Sequence, residues 1–103
     1  MIFQKTANMS GFEWDEDKNL INQRKHGISF EEAATIFDGP VLSLEDEGRH
    51  DELRERSYGL IGGVVVVCVI HTDRNGVTRI ISARKATANE RKHFNAYFKK
   101  ATR

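Results

Sequence analysis

The sequence is poor in the features that would assign it to a specialised class. Its 103 residues include one cysteine, Cys68, so no internal disulfide can form. That usage fits a cytosolic protein, and a thiol inside "VVVVCVI" reads as a small buried hydrophobe. The longest apolar stretch, "GLIGGVVVVCVI", falls short of the roughly 18 residues a membrane helix needs, and it is β-branched. The N-terminus lacks the charge, apolar block and cleavage site of a secretory signal. Neither HExxH nor a paired-cysteine spacing occurs, which argues against a structural or catalytic metal centre. The Gly62-Gly63 pair is too little for a phosphate-cradling loop. Ser57 and Ser82 stand in no spacing that specifies a nucleophilic triad. Internal repeats and low-complexity segments are also missing.

What is present is an uneven distribution of charge. The formal net charge is only +1. Yet residues 79–103 carry eight Lys/Arg against one acid, Glu90, and the rest of the chain carries eight basic against fourteen acidic residues. A basic C-terminal quarter on an acidic body suits a polyanion partner, while a solvated helix face would produce the same composition.

Hydrophobic periodicity divides the chain into elements. Residues 1–11 show no clear period and are expected to form an irregular tail, with Met9 a second possible start. Residues 12–103 read as one domain. "FEWD" alternates as a short strand. Asp15 is placed to cap a helix through "EDKNLINQRKH", which Gly27 ends. This helix has only Leu20 and Ile21 as large apolar residues and should lie on the surface. Ser29 and Glu32 form a capping-box pattern, followed by Phe30, Ala33, Ala34 and Phe37 on one helical face. Gly39 and Pro40 stop that helix.

The period then changes to two. "VLSLED", "RERSYGLI", "VVVVCVIHT" and "VTRIISARK" read as strands, with a charged loop after the first and a tight Asn75-Gly76 hairpin before the last. Thr87 and Glu90 form a second capping-box pattern, opening a helix with Phe94, Tyr97, Phe98 and Ala101 on one face. The expected architecture is α+β: two N-terminal helices and a C-terminal helix packed on a small twisted antiparallel sheet. With the helices on one face, the other would be left for a partner or for function.

Strict alternation along "VTRIISARK" groups Arg79, Ile81, Ala83 and Lys85 on one face, with Thr78, Ile80, Ser82 and Arg84 on the other. Arg84 and Lys85 immediately precede a helix N-terminus, where the dipole favours an anion and not a cation. Two readings stay open at this joint. A phosphate could compensate the cations, or Glu90 or an acid of "EDE" could do so internally. Arg54, Arg56 and Tyr58 share a face nearby. Arg grips phosphate in a bidentate manner, and Tyr offers a hydroxyl and a stacking ring. His26 ends the first helix, His71 ends the central strand, and His50 and His93 read as surface residues.

These segments resemble a known family. "FEWDEDKN", "KHGISFEEA", "FDG", the "ER" of "RERSYG", and above all "RIISARKATANER" occur in the order found in BrnT-type toxins of type II toxin–antitoxin systems, small relatives of the RelE/ParE-like ribonuclease fold. The similarity runs from Phe12 to about Phe94. It implies a RelE-like fold and a bacterial cytoplasmic endoribonuclease that inhibits translation and growth. It implies an RNA substrate, no metal and no cofactor, with cleavage by attack of the ribose 2′-OH. It also implies a ribbon-helix-helix, BrnA-like antitoxin, in a heterotetramer that contacts operator DNA through the antitoxin and represses its own operon. Carried over residue by residue, the catalytic candidates are Lys25, His26, Arg56, Arg79, Arg84, Lys85 and Glu90. The RNA-binding candidates are Arg54, Arg56, Tyr58, Arg79, Arg84, Lys85 and Arg91. Among the catalytic candidates, His26 with Lys25 is the best matched for acid–base work and Glu90 is an alternative base, which could instead serve only its capping box. The competing function is a non-enzymatic ParE-like inhibitor that binds a target protein such as DNA gyrase.

Overall fold

The computed structural model describes residues 6–9, 11–46, 48 and 52–102, with only the backbone described for 6–9. Most of the expected tail segment and His50 lie outside the described residues. The elements run β1 (Thr6–Met9), β2 (Phe12–Asp15), α1 (Glu16–His26), α2 (Phe30–Ala34), a 3-10 turn (Thr35–Asp38), β3 (Leu42–Glu45), β4 (Glu55–Ile61), β5 (Val65–Arg74), β6 (Val77–Lys85) and α3 (Ala88–Ala101). They form one six-stranded sheet in the order β1-β2-β6-β5-β4-β3.

Three expectations about this architecture need correction. The sheet is mixed, because β2 joins β6 in parallel through Phe12↔Thr78, Glu13↔Arg79 and Trp14↔Ile80. Residues 6–9 are not irregular: they pair antiparallel with β2 and form the sheet edge. The helices also do not share a face. Val67 and Val69 of β5 join Trp14, Phe30, Ala33 and Ile36 in one core, whereas Val66 and Cys68 join Tyr58 and Phe94 in a second. Alternation along the central strand therefore feeds two cores, with α1 and α2 over one face and α3 over the other. This is why "VVVVCVI" is apolar without interruption.

The helix boundaries follow local chemistry. Asp15 accepts the N–H groups of Asp17 and Lys18, and Gly27 closes α1 in the left-handed region at φ 71°. Both capping boxes form, Ser29 with Glu32 and Thr87 with Glu90. The α2 helix is shorter than its apolar spacing suggested, because its last turn tightens into the 3-10 turn that carries Phe37. That turn lies hard against β4, where a Cβ on Gly59 would stand 2.7 Å from the Ile36 Cβ.

Polar side chains, not apolar ones, anchor α1. Leu20 and Ile21 are exposed, while Asn19 and Asn22 are buried. Beyond Ile80, β6 has lost its pairing with β2, leaving backbone groups on that edge. The Asn22 carboxamide satisfies them, donating to the Ala83 carbonyl at 2.8 Å and accepting from the Ala83 N–H at 3.2 Å. Asn19 accepts the Phe30 N–H at 2.8 Å and ties α1 to α2.

A register shift in the β5–β6 ladder decides which cations share a face. Ile70 pairs with Ser82 but His71 pairs with Ile80, so Ile81 is an extra residue. A one-residue bulge reverses the alternation beyond it. Arg79 therefore shares the α3 side with Arg84, and not, as strict alternation suggested, the opposite face with Lys85.

Candidate active site

Where the ends of β4 and β6 meet the start of α3, four side chains converge. Glu90, third residue of α3, is held at its place by the capping box: the Thr87 N–H donates to Oε1 at 2.8 Å, and the Glu90 N–H donates to Thr87 Oγ1 at 3.2 Å. Arg84 donates to the same carboxylate in bidentate fashion, Nη1 to Oε1 at 2.7 Å and Nη2 to Oε2 at 3.1 Å. From β4, the Tyr58 hydroxyl donates to Glu90 Oε2 at 2.5 Å. Arg56, two residues earlier on the same strand face, donates through Nη1 to the Tyr58 oxygen at 3.1 Å, and its Nε lies 3.4 Å from Asp46 Oδ1. Guanidinium, phenol, carboxylate and guanidinium thus form one chain across the strand-to-helix joint.

Of the two readings left open at this joint, the internal ion pair is the arrangement found for Arg84. Glu90 supplies the compensating charge, and Asp46, from "EDE", does the same for Arg56. Lys85 is exposed.

The electrostatics follow from that contact. The Arg84 guanidinium, helped by the Thr87 N–H and the Tyr58 hydroxyl, holds the Glu90 carboxyl far below the usual carboxylate range despite its burial. The same pairing raises Arg84. Burial, and then the Glu90 carboxylate, pushes the Tyr58 phenol above its ordinary value of 10.0, so it stays protonated and donates. Beneath Tyr58, burial also raises the Cys68 thiol, which remains protonated and unreactive.

Beside the cluster opens a cleft of about 490 Å³ lined by Leu42, Leu44, Arg56, Tyr58, Asn89, Glu90 and His93. The periodicity of the sequence pointed to neither Asn89 nor the two leucines. The clue lay in β3, whose Leu42 pairs with Tyr58 and Leu44 with Arg56, which places both leucines on the same face as the cluster.

The remaining candidates lie elsewhere. Lys25 and His26 line a separate pocket of about 200 Å³ with Ile81 and Ser82, against α1. Arg79 lies 3.5 Å from Glu13 on the neighbouring parallel strand. Arg54 precedes β4, and its buried Nε has no hydrogen-bond partner among the described residues. Arg91 donates to the Ala86 carbonyl at 3.1 Å and faces an open groove on the outer side of α3 with Lys92, Lys99 and Lys100.

On the opposite face the fold assembles a serine, a histidine and an aspartate that the sequence spacing did not reveal. Ser57 Oγ is 2.7 Å from His71 Nε2, and His71 Nδ1 is 3.4 Å from Asp73 Oδ1. Ser57 also bonds Ser43 Oγ at 2.8 Å. The sequence of groups imitates a hydrolase triad, but Ser57 has 0% exposure and His71 packs edge-on against Phe37. A nucleophile sealed in the core meets no substrate, so the Ser43–Ser57–His71 hydrogen bonds serve to satisfy polar groups between β3, β4 and β5, while His71 Nδ1 makes no hydrogen bond among the described residues.

Comparison with known proteins bears on this geometry. Residues 14–90 match the family model described as the ribonuclease toxin, BrnT, of type II toxin–antitoxin systems. That span contains Arg56, Tyr58, Arg84 and Glu90. The crystal structure of the Brucella abortus ribonuclease toxin, BrnT, superimposes with a TM-score of 0.56 at 26% sequence identity, covering 72% of this chain and 92% of that one. No curated protein matches the chain significantly. The family match takes in most of the sheet, both N-terminal helices and the cluster at the start of α3, and the chain belongs to the BrnT family of ribonuclease toxins of type II toxin–antitoxin systems.

Proposed function

We propose that this toxin cleaves RNA at the Arg56–Tyr58–Glu90–Arg84 cluster, by a metal-independent transesterification on a RelE-like scaffold. The observation that carries this reading is a carboxylate gripped by a bidentate arginine at the rim of a cleft. A guanidinium placed to grip a carboxylate is equally suited to a phosphate.

In the reaction, the ribose 2′-oxygen forms a bond to the adjacent phosphorus and the bond from phosphorus to the 5′-oxygen breaks. The products are a 2′,3′-cyclic phosphate and a 5′-hydroxyl. RNA phosphate displaces Glu90 from Arg84, and Arg84 with Arg56 stabilises the charge that builds on the non-bridging oxygens. Freed from its guanidinium, Glu90 regains basicity and takes the 2′-OH proton. Tyr58, held protonated, is suited to give a proton to the departing 5′-oxygen. Lys25 and His26, in the α1 pocket, are the second candidate acid–base pair.

The proposed partner is a ribbon-helix-helix, BrnA-like antitoxin that presents acids to Arg79, Arg84 and Lys85, forms a heterotetramer and represses the operon through its own DNA contacts. Salt should weaken that complex.

The test is cleavage of single-stranded RNA by the purified chain in EDTA, beside Tyr58→Phe, Glu90→Gln and His26→Ala. Loss of activity in the first two with retention in the third supports the cluster. The reverse pattern moves the chemistry to the α1 pocket. Cleavage abolished by EDTA contradicts the metal-free route. Growth arrest with blocked DNA supercoiling and no cut RNA favours the ParE-like inhibitor.

A further inference from the structure

The cleft beside the cluster is larger than one phosphate needs, and its walls are of two kinds. Leu44 is 46% exposed although it faces the sheet side covered by α3, and it stands with half-buried Leu42 as an apolar wall. Asn89 and His93, one helical turn apart on α3, form the facing polar rim. Arg56 and Glu90 also line the cleft, joined through Tyr58. Its volume falls within the range of sites that enclose small organic ligands.

A flat apolar wall opposite an amide and an imidazole is what an unstacked nucleobase requires. The faces of the base bury against leucine, and its edge meets groups that both give and accept hydrogen bonds. The Asn89 carboxamide presents a donor beside an acceptor, matching a base edge that carries the same pair in complement, as adenine does. A base seated there leaves its phosphate towards Arg56, beside Arg84.

We infer that this cleft is the base-recognition pocket of the toxin, in which Asn89 and His93 read one unpaired nucleobase next to the scissile phosphate while Leu42 and Leu44 hold its face. The inference rests on the cluster being the site of RNA cleavage, and it adds the residues that choose where the cut falls. Neither Asn89 nor His93 takes part in the proton transfers. Asn89 is exposed at the second position of α3, where substitution leaves the capping box intact.

Two measurements separate this inference from the cleavage reading. The first titrates isotope-labelled protein with the four ribonucleoside 3′-monophosphates, and with ribose 5-phosphate and inorganic phosphate, following backbone and side-chain amide shifts. At least one nucleotide should bind about tenfold tighter than ribose 5-phosphate and move the signals of Leu44, Asn89 and His93. Asn89→Ala should reduce that nucleotide's affinity about tenfold and leave ribose 5-phosphate unchanged. Equal affinity for all six probes would reduce the cleft to a phosphate site and overturn the inference.

The second maps cut sites on a mixed-sequence RNA. Asn89→Ala and His93→Ala should flatten the base preference at one position next to the cut. An unchanged cut pattern in both variants overturns the base pocket and leaves the ribonuclease standing. Asn89-dependent nucleotide binding without any cleavage supports the pocket and removes the enzymatic reading alone.

Discussion

Glu90 carries three tasks with one carboxylate: it caps α3, neutralises Arg84 and accepts the hydrogen bond of the Tyr58 hydroxyl. Its folded-state pKa is depressed, so its contribution to stability is complete above the ordinary value of 4.5 and disappears as pH falls from there towards the folded value. Glu90→Gln keeps a side chain that can serve the capping box but loses the charge. The variant should be less stable than the parent by about 1 kcal/mol at pH 7, the pair being partly screened by solvent. That gap should narrow steadily below pH 4.5 in urea melts. Tyr58→Phe removes a single hydroxyl from between Arg56 and Glu90. Cleavage rates measured with excess RNA should fall by roughly 10²- to 10⁴-fold if that hydroxyl is the general acid, with little change in the fold.

At the scale of elements, two contacts hold the site's frame. Asn22→Leu leaves the Ala83 N–H and carbonyl without their side-chain partner on a buried edge. Each orphaned group costs about 1–3 kcal/mol, so denaturant unfolding should show a loss of about 2 kcal/mol or more. A gain in volume from leucine should not rescue it. Gly59→Ala drives a methyl into Ile36 of the 3-10 turn, and overpacking of this kind costs about 1–3 kcal/mol. Thermal melts check the cause: Ile36→Val removes only the Cδ1 contact at 3.3 Å and keeps the Cβ contact at 2.7 Å, so a Gly59→Ala/Ile36→Val pair should recover little of the loss. The capping boxes, the Asn75-Gly76 hairpin and the strands from β3 to β6 were legible in the sequence because each depends on neighbours in the chain. The role of Asn19 and Asn22 was not. A periodicity search looks for apolar faces, and α1 is docked by amides to a strand 61 residues away.

For the whole molecule, charge is sorted by the fold more than by the sequence. Arg56 and Arg84 are neutralised by acids at the cluster, while Arg91, Lys92, Lys99 and Lys100 line an open groove along α3. If RNA continues from the cluster along this groove, binding should weaken with salt, each phosphate contact adding about 0.7 to the slope of log affinity against log salt. Lys99→Ala/Lys100→Ala should lower that slope by about 1.4, measured by fluorescence anisotropy, without altering the cut sites. Among the described residues no helix is long and apolar enough to cross a membrane.

The sequence by itself determined the elements from β2 to α3, their caps, the family and the basic approach to α3, because those signals are local or linear. Tertiary structure alone decided that β2 runs parallel to β6 and that the helices divide between two faces. It also decided which candidates meet. The bulge at Ile81 turned Arg79 to the side of Arg84, and the capping box aimed Glu90 at Arg84. Lys25 and His26 went to a different pocket. Those outcomes depend on register and packing between segments far apart in the chain. A charged strand-to-helix joint can be read in one dimension, but the partner that neutralises it is settled only where β4, β6 and α3 come together.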